Sequence, residues 1–174
     1  LGFIEFGMNW GYDASDKADL VDITPRPTWG AYMPDQMGSF TMDGNYYVIT
    51  ANEGDARDPE EYRVKDTLLN PAYFPNADDL QNDTALGRQK VSFVNGDING
   101  DGMIEYIQAF GGRSFSVRDQ YGNLVFDSGD DFEQITYQNF PDFFNCNYDD
   151  EAFVFEYKDR SDDKGPEPEG MTMG

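Results

Sequence analysis

Apolar and polar positions alternate in short runs along the chain, and the runs are bounded by glycine, aspartate and asparagine. No stretch carries the three-to-four-residue apolar spacing of a long amphipathic helix. A short strand is expected at Phe3 to Phe6, followed by a polar, Asp-, Pro- and Gly-rich connection. Ser39–Met42 and Asn45–Ala51 are β-rich runs around Asp43-Gly44, a pair that accepts the positive φ angles of a type I′ hairpin turn. Residues 53–88 read as a long loop excursion with two short helices, near Val64 to Leu69 and Ala77 to Leu86.

The stretch 89–127 is the most regular. Strands are expected at Gln89–Val94, Ile104–Phe110, Ser114–Arg118 and Leu124–Asp127, the last two joined by the turn Asp119-Gln-Tyr-Gly-Asn123. Four short antiparallel strands linked by tight turns are the make-up of one propeller blade. The expected class is therefore all-β: a partial β-propeller of about three to four blades, with a β-sandwich as the competing arrangement. Residues 1–174 are expected to be a fragment of one larger propeller domain. The chain opens at Leu1 without Met and stops at Met171-Thr-Met-Gly174 where a strand would begin.

Composition narrows the chemistry. Thirty-four acidic residues face twelve basic ones, a formal charge of -22, so like charge opposes nucleic acid and anionic lipid as partners. No apolar run is long enough to insert into a membrane. So acidic a chain raises disorder as an alternative, but aromatic residues at 16% supply a core. There is no histidine, which excludes a Ser-His-Asp triad and His-ligated zinc within the chain. The single cysteine, Cys146, has no intramolecular disulfide partner and reads as a small packed residue.

Asp97-Ile-Asn-Gly-Asp-Gly-Met-Ile-Glu105 is the sharpest local signal. Asp97, Asn99, Asp101 and Glu105 offer side-chain oxygens at loop positions 1, 3, 5 and 9, and Met103 offers its carbonyl at position 7. Gln108 replaces the Glu of an EF-hand at position 12, and the flanks read as strands. The reading is a Ca2+ loop tying two β-strands, as in integrin-type blades, against the alternative of a solvated Asp/Gly turn. Glu53, Asp55 and Arg57 form a second cluster just after a β-run. The carboxylates are able to bind a metal or act as acid and base, with Arg57 clamping an anion, or the three are able simply to pin a loop. Arg113 is expected to pair with a buried carboxylate, and Asp130, Asp131 and Glu133 to form either another cation site or a solvated acidic turn. The segment Asp159–Gly170 interleaves both charge signs with two prolines, which stiffens the backbone around Glu167 and Glu169. Asn82-Asp-Thr84 is an N-glycosylation sequon.

Four of these segments resemble the choice-of-anchor I family in family order: Tyr47–Asp58, Ala109–Ser116, Leu124–Glu133 and Asp159–Gly170. The resemblance implies a secreted or surface-anchored propeller of seven or so blades, some members being labelled mesenchyme-specific cell surface glycoprotein or alkaline-phosphatase-like. It also implies a calcium-rich extracellular setting. By analogy with phytase-like and lactonase-like propellers, Glu169, Glu53 and Asp55 would line a channel, with Arg57 and Arg113 beside them. Two functions follow. One is a calcium-stabilised extracellular structural or interaction protein that contacts itself or other extracellular chains. The other is a metal-dependent phosphoesterase in which metal-bound water replaces the missing histidine base.

Overall fold

The computed structural model describes residues 2–56 and 61–172. Its strands are β1 (Phe3–Glu5), β2 (Thr28–Ala31), β3 (Pro34–Met42), β4 (Asn45–Asn52), β5 (Glu61–Arg63), β6 (Lys90–Ser92), β7 (Ile107–Phe110), β8 (Ser114–Asp119), β9 (Leu124–Asp127), β10 (Asn147–Asp149) and β11 (Val154–Glu156). Three short helices join them: α1 (Ala77–Leu80), α2 (Phe93–Gly96) and α3 (Asp131–Asn139). The class is all-β as expected. Among the described residues the sheets do not close into a barrel.

The first sheet has the order β1-β2-β7-β6-β5 and is mixed, because β2 runs parallel to β7 with Trp29 opposite Gln108. Its inward side chains, Ile4, Val91 and Ile107, join Phe6, Tyr12, Leu86 and Ile104 in the apolar core. The second sheet, β3-β4-β8-β9, is antiparallel throughout. The β3–β4 hairpin turns at Asp43 (φ 52°) and Gly44 (φ 80°), the two positive angles that a type I′ turn requires. A buried polar ladder crosses this sheet. The Asn52 amide donates to Ser114 Oγ (3.1 Å) and Ser116 Oγ (2.7 Å), and Ser116 Oγ donates to Asp127 (2.6 Å).

Several local expectations are corrected. The four strands of 89–127 do not make one sheet: β6 and β7 belong to the first, β8 and β9 to the second. The chain changes sheets at Gly111 (φ 79°) and Arg113 (φ 54°), where left-handed backbone ends β7 and redirects β8. The strand expected through Val94 stops at Ser92, whose hydroxyl caps α2 by accepting from the Asn95 N–H. In the excursion, helix shrinks to a single 3₁₀ turn at Val64–Asp66 and to the four residues of α1. The acidic turn at 130–133 instead opens α3, where Asp131 and Glu133 stand in the first turn and favour the positive helix end.

Candidate functional site

Most of the chain's basic residues gather near the crossover between the two larger sheets. Three segments meet there: the end of β4 with Glu53-Gly54-Asp55, the crossover Gly111-Gly112-Arg113, and the loop 158–167. Contact is backbone to backbone. A Cβ on Gly54 would fall 2.1 Å from Gly111 Cα, and one on Gly165 would fall 2.7 Å from the Arg113 guanidinium.

Arg113 is the hub, and only 3% of it is exposed. Its Nη1 donates to Glu133 Oε1 (2.8 Å) and the Asp13 carbonyl (3.1 Å), and its Nη2 donates to the carbonyls of Ser161 (2.8 Å) and Asp163 (2.9 Å). The guanidinium also lies 4.4 Å from the centre of the Tyr12 ring. Glu133 accepts as well from the Asp13 N–H (2.7 Å) and the Asn145 amide (3.2 Å). Burial pushes its carboxyl above the usual range, while Arg113 and the Asp13 N–H pull the other way. Buried Lys158 pairs with Asp13 (3.1 Å) and donates to the carbonyls of Ala18 and Leu20, fastening the N-terminal segment to the same hub.

A second layer of ion pairs surrounds the first. Asp162 pairs with Arg63 and with Arg88 (3.5 Å), and Lys90 reaches Asp163 (3.1 Å). Asp16 takes Arg88 Nε and Lys17 Nζ, each at 2.5 Å. Burial works against the Asp16 charge, yet the bonds from Lys17 and Arg88 outweigh it and hold the carboxyl below the ordinary aspartate range. Lys17, Arg63, Arg88, Lys90, Arg113, Lys158, Arg160 and Lys164 all pair in this seam, eight of the twelve basic residues. A folded-state carboxyl below its unfolded value adds stability above the ordinary range and loses it as pH falls through the folded value. Asp16→Asn will therefore melt lower than the wild type at neutral pH. The gap will close below about pH 4, which melting curves across pH would read directly.

The predicted site residues fall into separate settings. Glu53 and Asp55 are brought together, but on Lys164 Nζ (2.9 and 3.1 Å), with Glu167 also on that ammonium (3.4 Å). These three carboxylates hold the Lys164 proton well above the ordinary lysine range, against the opposing effect of burial. Arg113 has the buried carboxylate expected of it, and Glu133, read as part of a cation site or an acidic turn, is that partner. Glu169 is exposed and lies outside this cluster. Arg57 and Asp58 lie outside the described residues. Asp13, Lys158 and Ser161 were missed, because nothing in their local sequence signals a contact made across more than a hundred positions. Asn82 is exposed, and its Oδ1 accepts from the Thr84 N–H (3.0 Å). Cys146 is half-buried, and burial pushes its thiol up, so it is a poor nucleophile.

The 97–105 loop folds on itself. Asp97 accepts from the N–H groups of Gly100, Asp101 and Gly102, Asn99 Oδ1 from the Asp101 N–H, and Asp101 from the Met103 N–H. Glu105 points inward, 2% exposed, and accepts from the Asn70 amide (2.8 Å), the Asn99 amide (3.2 Å) and the Ile98 N–H (3.1 Å). The loop leaves α2, not a strand, and reaches β7 only at Ile107. Among the described residues no three acidic or cysteine side chains are gathered at metal-binding distance.

An all-β chain with its two larger sheets riveted by a buried ion-pair seam, built from a Gly-Gly-Arg crossover and a Lys-Gly-Pro-Glu loop, defines the class. Residues 1–174 match the choice-of-anchor I domain over their whole length, and the chain belongs to that family. Membership places it among extracellular or cell-surface proteins. No helix of the described residues is long and apolar enough to cross a membrane. The chain is also similar to Gigasin-3a of Magallana gigas, 33% identical over 96 residues, which are 54% of this chain and 34% of the relative. The match thus spans about a third of that curated relative's length. No solved structure matches the chain.

Proposed function

We infer that the chain is a calcium-stabilised structural or interaction module of an extracellular β-propeller, and that it works without a hydrolytic centre of its own. The observation that carries this reading is how the charged residues are used. Glu53 and Asp55 neutralise Lys164 and Arg113 neutralises Glu133, so these three groups nominated for phosphoester chemistry serve as fasteners, while Glu169 stands apart from them. The propeller part of the reading draws support from the second sheet, four antiparallel strands that leave Tyr46, Val48, Leu124 and Phe126 exposed. Apolar strands uncovered in this way suit packing against further blades or other extracellular chains. An N-glycan on exposed Asn82 fits the same setting.

Calcium is proposed for the 97–105 loop on the chemistry of its donors. Asp97, Asn99, Asp101, Glu105 and the Met103 carbonyl are hard oxygen ligands. Glu105 is a buried carboxylate whose bonds come only from neutral donors, which leaves its charge for a cation to balance. Calcium at about a hundred times its dissociation constant should raise the melting temperature by about 5–10 °C. Asp97→Asn combined with Asp101→Asn should abolish the rise. A melting temperature that ignores both calcium and chelator would remove the ion from this account.

A further inference from the structure

We propose that the chain carries a binding site for a neutral sugar ring, in the cavity formed by Phe3, Trp29, Asn95, Tyr106 and Gln108. The cavity, about 360 Å³, opens on the outer face of the first sheet, away from the ion-pair seam. Three aromatic rings and two primary amides line it, and none of the five side chains is charged.

Gln108 is the informative residue. It is only 7% exposed, it lines the cavity, and its side-chain amide has no hydrogen-bond partner among the described residues. The amide faces the open cavity, where it is free to offer a donor and an acceptor to one ligand. The parallel register sets Gln108 directly beside Trp29. Tyr106 meets Trp29 edge to face at 5.0 Å between ring centres, and Tyr73 backs Tyr106 at 6.4 Å. Asn95 supplies the second amide of the lining, next to Gly96, whose carbonyl accepts from the N–H groups of Glu105 and Tyr106.

A pyranose matches this set. Its C–H face lies on an aromatic ring, and two vicinal hydroxyls, each both donor and acceptor, bridge the Oε1 and Nε2 of Gln108. A proline-rich segment also favours aromatic walls, but it offers carbonyl acceptors and few N–H donors, leaving Gln108 Oε1 unpaired. Nucleotides and acidic glycans meet the repulsion of a chain with a net charge of -22. The inference rests on the cavity alone and holds whether or not the 97–105 loop takes calcium.

The test is an array of neutral oligosaccharides probed with the labelled chain, followed by calorimetry on the strongest binder. The wild type should bind at least one neutral glycan saturably. Gln108→Leu should weaken that binding about tenfold or more, and Trp29→Ala should abolish it. Because the Gln108 amide makes no bond within the chain, Gln108→Leu should keep the wild-type melting temperature, which separates lost binding from lost fold. Silence across the array, undiminished binding by Gln108→Leu, or capture of a proline-rich peptide in place of any sugar would each overturn the proposal.

Discussion

Arg113→Leu should destabilise the protein by about 3–5 kcal/mol, as expected when one partner of a buried ion pair is removed. The loss is large because one side chain serves four acceptors and the Tyr12 ring at once. Without the guanidinium, the Glu133 carboxylate keeps only neutral donors, and the carbonyls of Asp13, Ser161 and Asp163 lose theirs. Glu133→Gln should cost less. Arg113 then retains three backbone carbonyls and the Tyr12 face, and burial already favours an uncharged group at 133. The same variant carries a pH signature. A carboxyl raised above its unfolded value gives stability that is full below the ordinary range and is lost as pH rises through the folded value. Glu133→Gln should therefore flatten part of the wild-type decline between acid and neutral pH. Urea denaturation of both variants at two pH values would decide the matter, and equal losses for Arg113→Leu and Glu133→Gln would contradict the hub.

The second large effect is expected from a single methyl group. Gly111→Ala would set a Cβ 2.1 Å from the Glu53 carbonyl oxygen and 2.8 Å from its carbonyl carbon, at a residue whose φ is 79°. Left-handed backbone costs about 1–2 kcal/mol for a non-glycine residue, and overpacking against backbone about 1–3 more. A total of about 2–5 kcal/mol is expected, with separation of the β4 end from the crossover. Gly44→Ala, also at positive φ but in open space, should pay only the first part. Thermal melts of the two variants would compare them within one chain. A Gly111→Ala variant no worse than Gly44→Ala would mean the two backbones have room to part.

What the sequence made legible was local. The Asp43-Gly44 hairpin follows from two residues with a known backbone preference, and β8 and β9 flank their turn where alternation predicts. Gly111-Gly112-Arg113 separates the expected strands Ile104–Phe110 and Ser114–Arg118, yet nothing local says that it carries the chain from one sheet to another. That depends on which distant edges are free to accept β7 and β8. The 97–105 loop was located through its Asp, Asn and Gly spacing, while its flank was misjudged because Ser92, a strand former's neighbour in the pattern, caps a helical turn instead. Within the seam, Arg113 could be singled out as needing a carboxylate. Its partner Glu133 could not, since α3 is short, weakly apolar and recognisable mainly by its acidic first turn. Lys158 and Asp13 meet across 145 positions, a distance over which charge pairing leaves no trace in spacing.

The parallel pairing of β2 with β7 has a kinetic side. Thr28–Ala31 finds its neighbour only when Ile107–Phe110 arrives, so the first sheet needs a chain closure of nearly eighty residues before its centre exists. The β3–β4 hairpin, closed by a two-residue turn, faces no such wait. During synthesis the second sheet's hairpin should therefore be formed while β1 and β2 are still an unanchored ribbon. Refolding from denaturant should then show an early phase reporting on the Tyr46–Tyr47 region and a slower one reporting on Trp29.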